Sequence, residues 1–146
     1  MFRTIAALAL TFLSVTFAYG QSPRFCRNSF APGEKTETRF MGLSYALIGY
    51  ALAEKYCGAD PAPMGPKFLG YLKRQGCDPE TEIYRDVEKS IDKLERANLK
   101  QLAQDGNTSL SLSEKQVQEW AISTSEVLGG CERLISLHKT GPESWQ

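Results

Sequence analysis

Four cysteines, at positions 26, 57, 77 and 131, constrain this chain more than any other feature, because the intervals between them are 31, 20 and 54 residues. Structural zinc sites draw their cysteines in close pairs, about two to four residues apart, and no such pair exists here. There is no CxxC for thiol exchange and no CxxCH for haem attachment. An even number of widely spaced cysteines reads as two disulfides, provided that the chain folds outside the cytosol.

The N-terminus supplies that condition. Met1-Phe2-Arg3 is a short basic start, Thr4 to Phe17 is apolar apart from Thr and Ser, and Ala18-Tyr19-Gly20 places small residues before a cut at Gln21. These are the three parts of a cleavable signal peptide. The apolar stretch falls short of the roughly 20 residues that a spanning helix needs. The sequence therefore predicts a signal peptide over 1–20, a periplasmic or secreted location, and no stable membrane anchor after cleavage. Cys26 lies too far beyond the cut to carry a lipid anchor.

The remaining 126 residues suit a single domain with one core, 21–146. They carry 16 Lys and Arg against 17 Asp and Glu once Arg3 is removed. Such a near-neutral, mixed surface lacks the basic stripe that nucleic acid requires, so no nucleic-acid partner is expected.

Hydrophobic periodicity reads as helix throughout, and no segment alternates with the period of a strand over more than a few residues. Residues 21–33 form an irregular arm tied to the body by Cys26. A first helix is expected from about Glu34 to Cys57, ended by Gly58. Its run Phe40–Ala53 is almost wholly apolar, as befits a central core helix. Leu43, Leu47, Tyr50 and Cys57 fall close to one face. The Pro- and Gly-rich stretch 58–66 is a loop, and a short helix from Pro66 to Gln75 follows. Asp78-Pro79-Glu80 is a helix start. The stripe Tyr84, Val87, Ile91, Leu94, Leu99 and Leu102 then continues to about Gln104. A capping box, Ser113 with Gln116, opens the last helix. Its stripe is Val117, Trp120, Ala121, Thr124, Leu128, Cys131, Ile135 and His138, with Gly129-Gly130 placed to bend it. The expected fold is all-α: an irregular antiparallel bundle of three long helices and one short helix, stapled by two disulfides. Alternating helix directions bring Cys57, Cys77 and Cys131 to one end. Of the three connectivities, Cys57–Cys131 with Cys26–Cys77 is favoured, since Cys57 and Cys131 both lie on core-facing stripes.

The chemistry that the residues could carry is limited. No GxSxG, HExxH, Walker loop or GxGxxG is present. The single histidine, His138, is on an apolar stripe near a helix end, where a capping or partly buried structural role is the ordinary one. Glu34, Glu37, Glu54 and the Glu80/Glu82 pair are the carboxylates worth weighing. Glu54 stands out because it falls near the core face of an apolar helix, the setting of a general acid. A glycosidase needs a second, differently tuned carboxylate opposite it, and none is evident. The ordinary reading pairs Glu54 with Lys55 or another cation near the helix end. Asp105-Gly106-Asn107 is too short for a calcium loop, and Asn107-Thr108-Ser109 is a formal N-glycosylation sequon. No cofactor and no metal site are expected, and no residue is assigned as catalytic.

The aromatics favour recognition. Tyr45, Tyr50, Tyr56, Phe68, Tyr71 and Tyr84 cluster around the first three helices, and tyrosine suits interfaces because it is amphipathic. The loop 59–66, with Met64 and three Pro, is expected to be rigid and exposed and to present a binding edge, so Met64, Phe68 and Tyr71 are the candidate binding residues for a partner that is itself a protein. The stretch Arg39–Cys57 (RFMGLSYALIGYALAEKYC) with Pro66–Leu72 (PKFLGYL) loosely resembles the small periplasmic immunity proteins of the Rap/Tai type. That resemblance implies an exported, helical, disulfide-bonded inhibitor of a secreted peptidoglycan amidase. This sequence departs from it after Asp78, where a long charged helix and a further Cys-bearing helix are added, and no functional residue is carried across. The function expected is an exported, non-enzymatic binding protein, such as an inhibitor, immunity protein or accessory factor. The alternatives are a small cell-wall or lipid hydrolase and a periplasmic chaperone-like factor.

Overall fold

The computed structural model describes Cys26, residues 38–107 and residues 111–145. The expected signal peptide and the rest of the arm 21–33 lie outside the described residues. Among the described residues all regular structure is helical: α1 (Thr38–Lys55), α2 (Gly65–Arg74), α3 (Glu82–Arg96), α4 (Leu99–Gly106), α5 (Glu114–Val127) and α6 (Gly130–Thr140), then a short 3-10 turn, Pro142–Trp145. No helix among them is long and apolar enough to cross a membrane.

The all-α bundle has α1 at its centre, in contact with α3, α5, α6 and the 3-10 turn. Its composition explains that place. Leu43, Ala46, Leu47, Tyr50, Ala51, Leu52 and Ala53 are all buried, so the helix buries several faces rather than one stripe. It ends where expected: Gly58 adopts φ +79°, and the Ala59 N–H reaches back to the Ala53 carbonyl at 2.8 Å.

Two of the expected long helices are each broken once. The segment 79–104 divides at Ala97, whose backbone is extended. Asn98 then caps α4, accepting from the Gln101 N–H at 2.9 Å, while Gln101 Oε1 accepts from the Asn98 N–H at 3.0 Å. This reciprocal pair rewards a fresh helix start over continuation. The start of α3 also moves. Asp78-Pro79-Glu80 forms a turn in which the Asp78 carbonyl accepts from Thr81 N at 2.9 Å and Thr81 Oγ1 at 2.6 Å, so the helix begins at Glu82. The Ser113–Gln116 capping box does open α5. Thereafter Gly129 and Gly130, at φ +100° and +84°, end one helix and begin another. The break resets the helical phase, so α6 buries Leu134, Leu137 and His138 while Ile135 is only half-buried.

Disulfides join Cys26 to Cys77 and Cys57 to Cys131, with Cα–Cα separations of 5.3 and 5.4 Å. The second follows from where α6 begins. Cys57 lies just past the end of α1 and bonds to Cys131 in the first turn of α6, while Glu54, a turn earlier, meets His138, two turns later. The two helices are therefore antiparallel.

Candidate functional site

Two features merit attention as sites: a buried polar cluster between α1 and α6, and an apolar cleft on another side of α1.

The polar cluster is built on Glu54. Its Oε1 lies 2.8 Å from His138 Nε2 and accepts the Ala62 N–H at 2.8 Å. The two side chains are 15% and 8% exposed. The pairing of Glu54 is thus with His138, not with Lys55, whose Nζ approaches the Glu95 carbonyl at 3.4 Å. Tyr50, fully buried, packs its ring 4.2 Å from that of His138 and edge-on to Phe68 at 5.6 Å. Burial, and then the nearby carboxylates of Glu54 and Glu95, push the Tyr50 hydroxyl up to about 12. Lys67 on α2 donates to the carbonyls of His138 and Lys139, the latter at 3.2 Å. A cation there meets the negative end of α6.

Chemically the cluster is occupied. The Glu54 oxygen that would act as acid or base already holds a backbone donor and a ring nitrogen. Its partners tie the loop after α1 and the end of α6 to one point, which is a structural use of the acceptor oxygen. Glu80 and Glu82 are exposed at the start of α3, and Glu34 and Glu37 lie outside the described residues. Among the described residues no group of three or more His, Cys, Asp or Glu side chains is placed to share a metal ion.

The candidate binding residues Met64, Phe68 and Tyr71 are core side chains, 2%, 0% and 5% exposed. The expected binding edge is corrected in a specific way. The Met64 N–H donates to Glu95 Oε1 at 2.8 Å, which draws the end of the Pro-rich loop onto α3 and turns the thioether inward. The loop is exposed only at Gly58, Asp60, Pro61 and Pro63. A partner could touch Phe68 or Tyr71 only by displacing α2 from the body.

A surface suited to recognition lies elsewhere. Ser44, Leu47 and Ile48 of α1, Ser90, Lys93 and Leu94 of α3, Leu102, Asp105 and Gly106 of α4, and Trp120 of α5 enclose a cleft of about 310 Å³. Its floor is aliphatic and aromatic. Its mouth carries the two serines and the exposed Lys93–Asp105 ion pair, 2.8 Å apart. Tyr45, which follows Ser44 on α1, is half-exposed. At Gly106 the indole lies close against α4: a Cβ at this position would stand 3.1 Å from Trp120 Nε1, a tight contact that glycine avoids. The helix break at Ala97 separates α3 from α4, and both line the cleft together with α1 and Trp120 of α5. The expected core stripes did contain Leu47, Leu94, Leu102 and Trp120. That they leave a gap open to solvent is a matter of how the four helices pack. Asn107, the sequon asparagine, is exposed and donates through Nδ2 to the Ala103 carbonyl at 3.0 Å, whereas Thr108 and Ser109 lie outside the described residues.

No protein-family model, curated protein or solved structure matches this chain.

Proposed function

We propose that this chain is an exported, non-enzymatic binding protein that receives a bulky apolar side chain of a protein partner in the cleft between α1, α3, α4 and α5. The cleft carries the proposal: about 310 Å³ floored by Leu47, Ile48, Leu94, Leu102 and Trp120, with polar groups confined to its mouth. Interface energy concentrates in a few aromatic or aliphatic anchors seated in such pockets, with polar groups at the rim fixing orientation. Two disulfides support an extracytoplasmic setting. The signal-peptide pattern supports export to the periplasm or beyond, with the mature chain starting at Gln21. Inhibitors, immunity proteins and accessory factors are the kinds of protein that work in this way.

The test fills the cleft without emptying the core. Ser90 is at the mouth, and its hydroxyl donates within its own helix to the Asp86 carbonyl at 2.8 Å. Ser90→Trp in the mature protein should abolish capture of the partner that wild type recovers from extract of the producing cell, while the melting temperature holds. Equal capture by Ser90→Trp and Ser44→Trp would sink the cleft reading. Intact mass of protein from the same cells checks the start at Gln21.

One observation favours the hydrolase alternative, the contact of Glu54 with His138. Turnover of peptidoglycan or phospholipid that disappears in Glu54→Gln would replace the binding reading with that one.

A further inference from the structure

The two disulfides occupy unlike surroundings. Cys26 and Cys77 are 0% exposed, in the cluster that also holds Tyr50 and Phe68. Cys57 and Cys131 are both half-buried. Thiol–disulfide exchange requires a thiolate to reach a sulfur, so access separates the two bonds kinetically. Position also selects the leaving sulfur. Cys131 is the second residue of α6, where the helix N-terminus stabilises a thiolate, whereas Cys57 follows the C-terminal end of α1.

The bond is also mechanically placed. Immediately before Cys131, the left-handed Gly129 and Gly130 form the joint between α5 and α6. Cys57 packs on the cluster of Leu52, Ala53, Leu128 and Leu134, and so do Ile48 and Trp120, two residues that line the cleft. Beyond the bond, the Glu54–His138 contact and the Tyr50–His138 packing hold the later turns of α6 to α1 independently. Breaking Cys57–Cys131 therefore frees the glycine joint and the α5 wall while leaving the end of α6 anchored.

We infer that Cys57–Cys131 is a redox switch on the cleft: reduction by an external dithiol releases α5 and changes the pocket around Trp120, while Cys26–Cys77 keeps the fold. The functional consequence rests on the cleft being the binding surface. In the exchange, a dithiol thiolate attacks Cys57 Sγ and the disulfide breaks. Cys131 leaves as a thiolate and takes a proton from solvent. The second thiol, deprotonated, then displaces Cys57 Sγ, which is protonated in turn. Two electrons pass from the dithiol, which becomes its own disulfide, to the protein pair.

The experiment uses residues 21–146 carrying Trp145→Phe, which leaves Trp120 as the single tryptophan of that segment. Native protein is treated with graded dithiothreitol, quenched by alkylation and mapped by mass spectrometry, with Trp120 emission and far-ultraviolet dichroism followed in parallel. Cys57 and Cys131 should become alkylated roughly tenfold faster or more than Cys26 and Cys77. Trp120 emission should shift to the red in step with that labelling, with helicity retained. Simultaneous labelling of all four cysteines, or earlier labelling of Cys26 and Cys77, overturns the inference. So does selective labelling with unchanged Trp120 emission. These readouts need no ligand, so they stand or fall separately from capture by Ser90→Trp.

Discussion

Replacing Glu54 tests what the buried carboxylate is for. Its Oε1 accepts from the Ala62 N–H and contacts His138 Nε2, each at 2.8 Å, and the side chain is only 15% exposed. Glu54→Ala leaves both groups without their partner in a poorly hydrated place. A buried polar group stranded in this way costs about 1–3 kcal/mol, so the pair costs about 2–6 kcal/mol before water enters the gap. We expect a measured loss of about 3 kcal/mol, as water recovers part of the hydrogen bonding. Glu54→Gln keeps an acceptor oxygen at the same place and should lose less than about 1 kcal/mol. The assay is urea unfolding of the oxidised mature protein, followed by far-ultraviolet dichroism and extrapolated linearly. If Glu54→Ala unfolds within about 1 kcal/mol of wild type, the contacts are not stabilising and the reasoning fails. If Glu54→Gln is as damaging as Glu54→Ala, the charge rather than the acceptor oxygen matters, and the structural account of this carboxylate fails too.

Other outcomes follow from the same geometry. The Tyr50 hydroxyl is held neutral up to about 12 in the folded chain against an ordinary value of 10.0, so its contribution is complete below pH 10.0 and is lost as pH rises towards about 12. Ultraviolet titration should show one late tyrosinate that Tyr50→Phe removes; a full complement titrating near the ordinary value would contradict this. Gly129→Ala meets both an unfavourable φ of +100° and Arg133 Cδ at 2.5 Å, whereas Gly130→Ala meets only the unfavourable φ of +84°. Thermal unfolding should find the latter weakened by about 1 kcal/mol and the former by more; equal losses would show that Arg133 yields freely. Ser113→Ala removes a capping box whose two reciprocal bonds open α5, and should cost about 1 kcal/mol; no loss would mean that the helix start is held by packing alone.

Much of the fold was legible because it rests on local signals. Gly58 ends α1, Ser113 with Gln116 begins α5, and the stripe Tyr84, Val87 and Ile91 is buried as its spacing predicts. The pairing of Cys57 with Cys131 was legible too, although through helix directions that the break in the last helix changes. The break at Ala97 had a readable cause in Asn98-Leu99-Lys100-Gln101, a capping box hidden inside a continuous apolar stripe. The candidate site was less legible. Glu54 and His138 were each notable, but they lie 84 residues apart on different helices, and no local pattern pairs them. Met64, Phe68 and Tyr71 have the same composition whether they face a partner or the core, and long-range contacts decide between the two. The cleft is a space between four helices. Single-helix patterns identify its walls and cannot show that the walls stand apart.

The loop between α1 and α2 shows how those long-range contacts act. Pro61 and Pro63 have no N–H to offer, so Ala62 and Met64 between and after them supply the donors in this stretch. Each is claimed by a carboxylate from a different helix: Ala62 by Glu54 of α1 and Met64 by Glu95 of α3, both at 2.8 Å. The prolines restrict the backbone, and the carboxylates choose among the conformations that remain. Because the claims come from two helices, the loop pins the start of α2 against both, and Met64, Phe68 and Tyr71 are carried inward together. The same Glu54 oxygen contacts His138 on α6. One side chain on the central helix thus sets the position of the loop before α2 and of the last helix. A polar residue on an apolar helix can therefore organise a fold while resembling, in sequence, the acid of an active site.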